Sequence, residues 1–380
     1  MQYRSLPKYP DLKLSVLGFG CMRLPIVDRD YARIDEEKAA ALVRRAVECG
    51  VNYLDTAQPY HGGESERFVG QMLKQGLRGR VHVATKLPTW LVKAENDWER
   101  LLDEQLKRID VGTIDFYMLH GLSGERWDLV TRLRGLEVLE RARADGRVRH
   151  VGFSFHGSPE SFTSIVDGYD WDFCQIQYNY LDEEYQAGTA GLRHAAARGV
   201  GIIAMEPLRG GVLGAEPPGA VKAVWQRGPA GRSAAAWALR WVWNHPEVIV
   251  ALSGMNRPEQ VEENLAVADA ARAGALTPEE LALVAEVRDF YRAKMRVNCT
   301  TCGYCLPCPS GVSIPDVFSS YNSAAMFDDA KTAAMVYQTW TVRAGHGADV
   351  CLECGECEPK CPQQIPIAEK LKEAHAHLTA

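Results

Sequence analysis

Nowhere in the 380 residues is there an uninterrupted apolar run of about 18 residues, the length a membrane-crossing helix needs. The opening residues, MQYRSLPKYPDLKL, mix charges with prolines and hold no apolar signal core. A cytoplasmic protein without a membrane partner is therefore expected. An excess of one charge is also missing: 43 Lys plus Arg against 49 Asp plus Glu leave a net charge of -6, too mild to draw in nucleic acid. Cysteine is scarce before Cys299, where only Cys21, Cys49 and Cys174 occur, so no disulfide framework spans the chain. What is present is ordinary globular material, 46% hydrophobic and 9% aromatic, enough for a sizeable core.

Short apolar runs alternate with longer amphipathic ones. The expected strands are 14–20, 51–55, 81–86, 114–120, 148–154, 173–177, 200–205 and 248–254. Helical periodicity fills 35–49, 64–75, 96–109, 128–145, 158–168, 183–198, 231–244 and 258–272. Eight strands each followed by a helix predict an α/β fold, a closed (β/α)8 TIM barrel, with a long Gly- and Pro-rich excursion at 206–230. Another helix near 278–294 leads to a cysteine cluster, placing the expected domain boundary between 1–294 and 295–380.

Chemistry in such a barrel sits where strands end on the C-terminal face. Three expected strand ends there carry unusual polar residues: Asp55, Lys86 and His120, with Tyr60 in the loop after Asp55. Singly, each has a structural explanation as a cap, an ion-pair partner or a core histidine. Together they form a proton-donor set. A phenol with a pKa near 10 is a weak acid at neutral pH, but a neighbouring Lys ammonium stabilises the phenolate, and a carboxylate keeps that ammonium charged and oriented. Tyr60 is thus the expected proton donor to a carbonyl oxygen that His120 orients.

The runs DTAQPYHGGESERFVG, ATK and DFYMLH resemble, in order and spacing, the catalytic segments of the aldo-keto reductase family, with Asp55, Tyr60, Lys86 and His120 at the positions of its tetrad. The resemblance covers about residues 10–290. It implies NADPH, with NADH as the alternative, and a small carbonyl or sugar-like substrate. It also implies nucleotide contacts from Gly20, Cys21, Met22, Asp55, Ser154, Gln175, Met205, Pro207, Leu208, Ser253, Gly254, Met255, Arg257, Gln260, Glu263 and Asn264. The family's usual nicotinamide-stacking Tyr corresponds to Met205 and its usual phosphate-binding Lys to Gly254, leaving Arg257 to meet a 2′-phosphate. Trp90 and Trp127 are candidate pocket aromatics.

Residues 299–309 read CTTCGYCLPCP and 351–362 read CLECGECEPKCP. The spacing of the second is that of the bacterial iron-sulfur run, whose fourth cysteine ligates the other cluster. By that rule Cys299, Cys302, Cys305 and Cys361 hold one [4Fe-4S] cluster, and Cys351, Cys354, Cys357 and Cys308 the other. Two four-thiolate zinc sites are the alternative. Helix-compatible stretches at 315–326 and 328–343 separate the motifs, so the region resembles an α-helical ferredoxin module. A module of this kind, and the segment LRGG at 208–211, resemble an iron-sulfur subgroup of the aldo-keto reductases. The expected activity is carbonyl reduction with clusters in a structural, sensing or electron-transfer role. Exchange of electrons with a ferredoxin or flavoprotein, or redox-neutral chemistry on a sugar-like substrate, are the alternatives.

Overall fold

The computed structural model describes residues 1–28, 30–327 and 330–380. Its strands are β1 (Tyr3–Leu6), β2 (Tyr9–Ser15), β3 (Leu17–Gly20), β4 (Tyr53–Asp55), β5 (His82–Pro88), β6 (Ile114–Leu122), β7 (Val148–Phe155), β8 (Phe173–Gln177), β9 (Gly201–Met205) and β10 (Val248–Ser253). Its helices are α1 (Glu36–Glu48), α2 (Glu64–Met72), α3 (Asp97–Ile109), α4 (Gly124–Arg132), α5 (Gly135–Ala144), α6 (Pro159–Asp167), α7 (Gly188–Ala197), α8 (Gly219–Trp225), α9 (Ala234–Trp243), α10 (Pro258–Asp269), α11 (Pro278–Lys294), α12 (Ile314–Met326), α13 (Ala330–Tyr337) and α14 (Ile367–Thr379). Strands β3 to β10 are parallel and close into a barrel, β10 pairing with β3. Barrel strands are covered inside and out, so they read as nearly continuous apolar runs. β6, IDFYMLHGL, is buried at every position.

The structure departs from the sequence expectation in several places. The run 14–20 is not one strand: Leu14 and Ser15 finish the antiparallel hairpin β1–β2, and β3 begins at Leu17. The hairpin sets Leu6 and Leu14 against Tyr53, Phe116 and Phe173 near the starts of β4, β6 and β8, plugging the barrel at that end. An apolar run crossing two elements shows no break in periodicity when neither Gly nor Pro marks the turn. The segment 128–145 splits into α4 and α5 at Arg134, whose φ is +55°. Gly135 begins α5 because the Trp98 ring occupies the space a side chain would need. The helix expected from 183 starts at Gly188, since the Asn179 side-chain oxygen accepts from the N–H groups of Leu181 and Asp182 and holds a turn there. Of the helix expected at 328–343, Asp328 and Asp329 lie outside the described residues; α13 ends at Tyr337 and a π-helical turn continues it over Gln338–Val342.

Two compact units form, Met1–Pro207 with Ala238–Leu276, and Leu208–Trp237 with Thr277–Ala380. The barrel belongs to the first. In the second, Arg232 pairs with Glu280 at 2.9 Å, and Trp225 and Trp237 stack 4.6 Å apart. Residues 208–237 and 277–294, which the sequence groups with the barrel, therefore pack in this unit. Its apolar core gathers Phe318 and Tyr321 of α12, Leu371 and Ala374 of α14, and Val297, Val312 and Ile365 from the connections.

Within the barrel layer, Gly70 of α2 lies so close to the carbonyl of Ile109 at the end of α3 that any Cβ would overlap backbone. Gly70→Ala is expected to lower unfolding free energy by about 1–3 kcal/mol, the usual cost of overpacking, as read by urea denaturation.

Candidate functional site

Asp55 is the last residue of β4, Lys86 lies in β5 and His120 in β6. Parallel register pairs Asp55 with Ala84 and Pro88 with His120. Residues 84 and 86 face the same way along the strand, so the Lys86 ammonium turns towards Asp55. Its Nζ donates to Asp55 Oδ1 at 2.8 Å, to Oδ2 at 2.7 Å and to the Thr56 carbonyl at 2.9 Å, using all three N–H groups. Tyr60 opens a short helical turn, Tyr60–Gly63, and its ring centroid lies 4.8 Å from Lys86 Nζ. The His120 ring stands edge-on to it at 6.3 Å. All four side chains are buried. The arrangement can place a carbonyl oxygen between a phenol and an imidazole, with a cation behind the phenol.

Burial, opposed by Asp55, lowers the pKa of Lys86, and burial, opposed by Lys86, raises that of Asp55. With three matched donors the pair is ionised. Burial, reinforced by the Lys86 charge, holds His120 well below an ordinary imidazole, so it is neutral at physiological pH.

Ser154 of β7 and Gln175 of β8 are register partners on adjacent strands. Ser154 Oγ accepts from Gly121 N at 2.8 Å, which leaves its O–H to donate. Gln175 Nε2 donates to Met205 Sδ at 3.6 Å, while its Oε1 is buried without a hydrogen-bond partner. A primary carboxamide fits this pair, since it offers an acceptor to Ser154 and a donor to Gln175. Gly20 and Ser253 end neighbouring strands, and Cys21 donates its N–H to Asp55 O at 2.8 Å while its thiol is buried. Asn264 is turned inward and donates to Ser253 Oγ at 3.1 Å. Met255 is buried, Gly254, Arg257 and Glu263 are exposed, and Gln260 accepts from Asn256 N at 2.9 Å. Met22 is partly exposed, Pro207 is buried at the end of the first unit's long segment, and Leu208 belongs to the second unit.

The cysteine motifs surround two small hollows. Cys299, Cys302, Cys305 and Cys361 line one; Cys308, Cys351, Cys354 and Cys357 line the other. A single zinc ion would draw four sulfurs to about 2.3 Å from one centre. Among the described residues, no three His, Cys, Asp or Glu side chains converge that way. The two loops share one backbone. Thr301 and Glu353 both have φ +54°, each donates its N–H to the preceding motif cysteine, and Gly303 and Gly355 follow at +78° and +73°. Burial raises the Cys305 thiol. At Cys308 burial also acts upward, but hydrogen bonds from the Ser310 side chain and from the N–H groups of Val312, Ser310 and Gly311 prevail and lower it. Such spacing and N–H donation fit polynuclear clusters with thiolate ligands.

Compared with known proteins, residues 16–289 match the aldo/keto reductase family. The chain belongs to that family. Residues 298–366 match a 4Fe-4S dicluster domain. The reductase is 28% identical over 276 residues to L-galactose dehydrogenase of Arabidopsis thaliana, spanning 67% of this chain and 84% of that protein. It is 25% identical over 298 residues to NADH-specific methylglyoxal reductase of Escherichia coli, spanning 67% of this chain and 90% of that protein. Among solved structures, the holo form of aldo-keto reductase AKR11C1 from Bacillus halodurans superposes with a TM-score of 0.63 at 26% identity, covering 75% of this chain and 96% of that one. The reductase is thus an NAD(P)H-dependent oxidoreductase of this family with an iron-sulfur module. Among its described residues, no helix is long and apolar enough to cross a membrane.

Several residues that shape the reductase's barrel site carry no signal in the sequence. His61 receives the Leu24 N–H on Nε2 at 3.2 Å and donates from Nδ1 to Tyr31 O at 2.7 Å, tying the loop after β3 to the Tyr60 turn. Behind Lys86, the buried Glu66 carboxylate accepts from Thr85 and Gln105, each at 2.6 Å, and pairs with Arg108, while Gln105 also donates to Lys86 O at 3.0 Å. Arg23 lies against Gly254, and its guanidinium is 3.6 Å from Glu206. Trp90 stands 4.8 Å from His120, and Trp127 packs with Trp171.

His156, beyond the end of β7, bonds Gln186 at 3.1 Å, and burial pushes its pKa down to about 4. An unfolded histidine titrates near 6.5, so between these values the unfolded chain binds more protons than the folded one. Stability is therefore full above about pH 7 and declines as pH falls towards 4. His156→Gln is expected to flatten that decline in urea denaturation at pH 7 and pH 5. A decline as steep as that of the native protein would contradict the assignment.

Proposed function

We propose that the reductase's barrel reduces an aldehyde or ketone in the cytoplasm, with Tyr60 giving a proton to the carbonyl oxygen. The observation that carries this reading is the fully engaged Lys86–Asp55 pair set 4.8 Å from the Tyr60 ring. When bound, a nicotinamide dinucleotide supplies the hydride. Ser154 and Gln175 orient the nicotinamide carboxamide, and Met205 packs beside them. As the Tyr60 O–H releases its proton, Lys86 stabilises the phenolate, and Asp55 keeps Lys86 charged. His120, neutral and buried, offers a hydrogen bond to the same oxygen without competing for a proton. Trp90 beside His120 forms an apolar wall for a small carbonyl compound. Relatives named for a galactose and for methylglyoxal support a small carbonyl or sugar-like substrate. NADPH is the proposed form, with Arg257 at the start of α10 meeting the 2′-phosphate in a bidentate fork.

In the second unit, the two sets of four cysteines hold one [4Fe-4S] cluster each. Their exchange of electrons with a ferredoxin or flavoprotein is supported by the exposure of Cys354 and of Leu352, 75% exposed, beside the second hollow.

Tyr60→Phe is expected to lower NADPH-dependent carbonyl turnover by about 10²–10⁴-fold, the usual weight of a proton donor, with nucleotide affinity retained in a fluorescence titration. Turnover at the native rate would overturn Tyr60 as donor.

A further inference from the structure

Arg209 is 1% exposed and ranks among the largest fully buried side chains of the described residues. The proton-transfer chemistry of the barrel makes no use of it. It opens the turn Arg209–Gly214, within the second unit, and its guanidinium donates to Oδ1 of Asn298, the residue before Cys299. Gly210 follows at φ +68°. A Cβ on it would stand 2.5 Å from Thr300 O and 2.9 Å from Thr301 Oγ1. The turn thus rests directly on the peptide joining Cys299 to Cys302, and Thr300 lines the same hollow as both cysteines.

We infer that Arg209 and Gly210 are positioning residues for the iron-sulfur cluster of the first hollow, with Arg209 the buried positive charge that favours its reduced form. The inference rests on the proposed assignment of Cys299, Cys302, Cys305 and Cys361 to that cluster. Four thiolates outweigh the positive charge of a cubane core, so the assembly is anionic and gains a further negative charge with each electron it accepts. In a low-dielectric interior, a nearby fixed cation offsets that added charge. Net charge, hydrogen bonds to sulfur and solvent exposure are the levers that set cluster potential. The guanidinium stays protonated throughout, so reduction needs only the electron and no proton from Arg209.

The second hollow supplies an internal comparison. Its loop, Cys351 to Cys354, repeats the backbone of the first, and Leu352 occupies the place of Thr300. Thr300 is 2% exposed beneath the Arg209–Gly214 turn, whereas Leu352 is 75% exposed. One loop is covered by a turn carrying a buried cation and its twin is open. The effect of Arg209 is therefore expected to fall on the first cluster.

The test is a dithionite titration of the full-length, anaerobically reconstituted protein with redox mediators, followed by electron paramagnetic resonance, alongside iron and sulfide analysis. Cys302→Ser identifies the signal of the first hollow. Arg209→Met is expected to move that midpoint to lower potential, leaving the other midpoint and the iron content as in the native protein, and Arg209→Lys to restore most of the shift. Unchanged midpoints, or equal shifts of both, would overturn the role of Arg209. Should Arg209→Met not accumulate, Gly210→Ala carries the test. It is expected to lose the first signal and about half of the iron, and full retention of both signals overturns the positioning role. A native protein that binds zinc in place of iron overturns the cluster assignment, and metal analysis distinguishes that result from a native dicluster protein whose variants behave alike.

Discussion

Lys86 and Asp55 are charged groups almost wholly removed from water at the open end of the barrel. Desolvation of such a pair costs more than Coulomb attraction returns unless the geometry is close to ideal and every donor is matched. The β4–β5 register meets that condition by bringing both side chains to one face, and the Thr56 carbonyl takes the third proton of the ammonium. Thr85, pointing the other way, joins Glu66, Gln105, Arg108 and Tyr117 in a second buried network beneath the helices. Gln105 reaches back from that network to the carbonyl of Lys86 itself. The strand is thus fixed from both faces at the residue whose charge matters most.

A rigid cation at this place determines what its neighbours can do. In the proposed reaction it would stabilise the phenolate of Tyr60, while burial, reinforced by the same charge, holds the imidazole of His120 neutral. The hairpin β1–β2 serves the same end from the opposite side of the barrel. By filling the space near the strand starts with Leu6 and Leu14, it leaves the strand ends as the open face where buried polar groups collect. The left-handed turn at His61 and the bonds from its two ring nitrogens then hold Tyr60 over Lys86 without any covalent constraint.

The barrel was legible in the sequence because each strand and its helix differ in period, and the strand ends because Asp55, Lys86 and His120 break otherwise apolar runs. The two cysteine motifs were legible from spacing alone. Other features rest on tertiary packing that leaves no local trace. Val16 separates two strands within one apolar run. Arg134 breaks a helical pattern because Trp98, distant in sequence, claims the space at Gly135. Arg209 is the sharpest instance. In the sequence it belongs to the LRGG segment that resembles the iron-sulfur subgroup, but nothing there shows that its side chain is buried beside Asn298. The same connection reads as a barrel loop yet packs with the cysteine-bearing unit, since neither its composition nor its length says which core will receive it.

The division of cysteines between the hollows has a mechanical consequence that holds whichever redox role the clusters play. Cys361 joins the loop of Cys299 to Cys305, and Cys308 joins the loop of Cys351 to Cys357. With clusters bound as proposed, each is a cross-link between two segments separated by α12 and α13, and the two cross-links are mutually interlaced. A link closing a long loop removes conformational freedom from the unfolded chain much as a disulfide does. The core of this unit is small, and several of the cysteines pack at its edge. Small cores of this kind commonly depend on metal or disulfide staples for their stability. Loss of one cluster would leave the other as the single remaining link between these segments, so structural and electron-carrying roles are two consequences of the same interlaced ligand set.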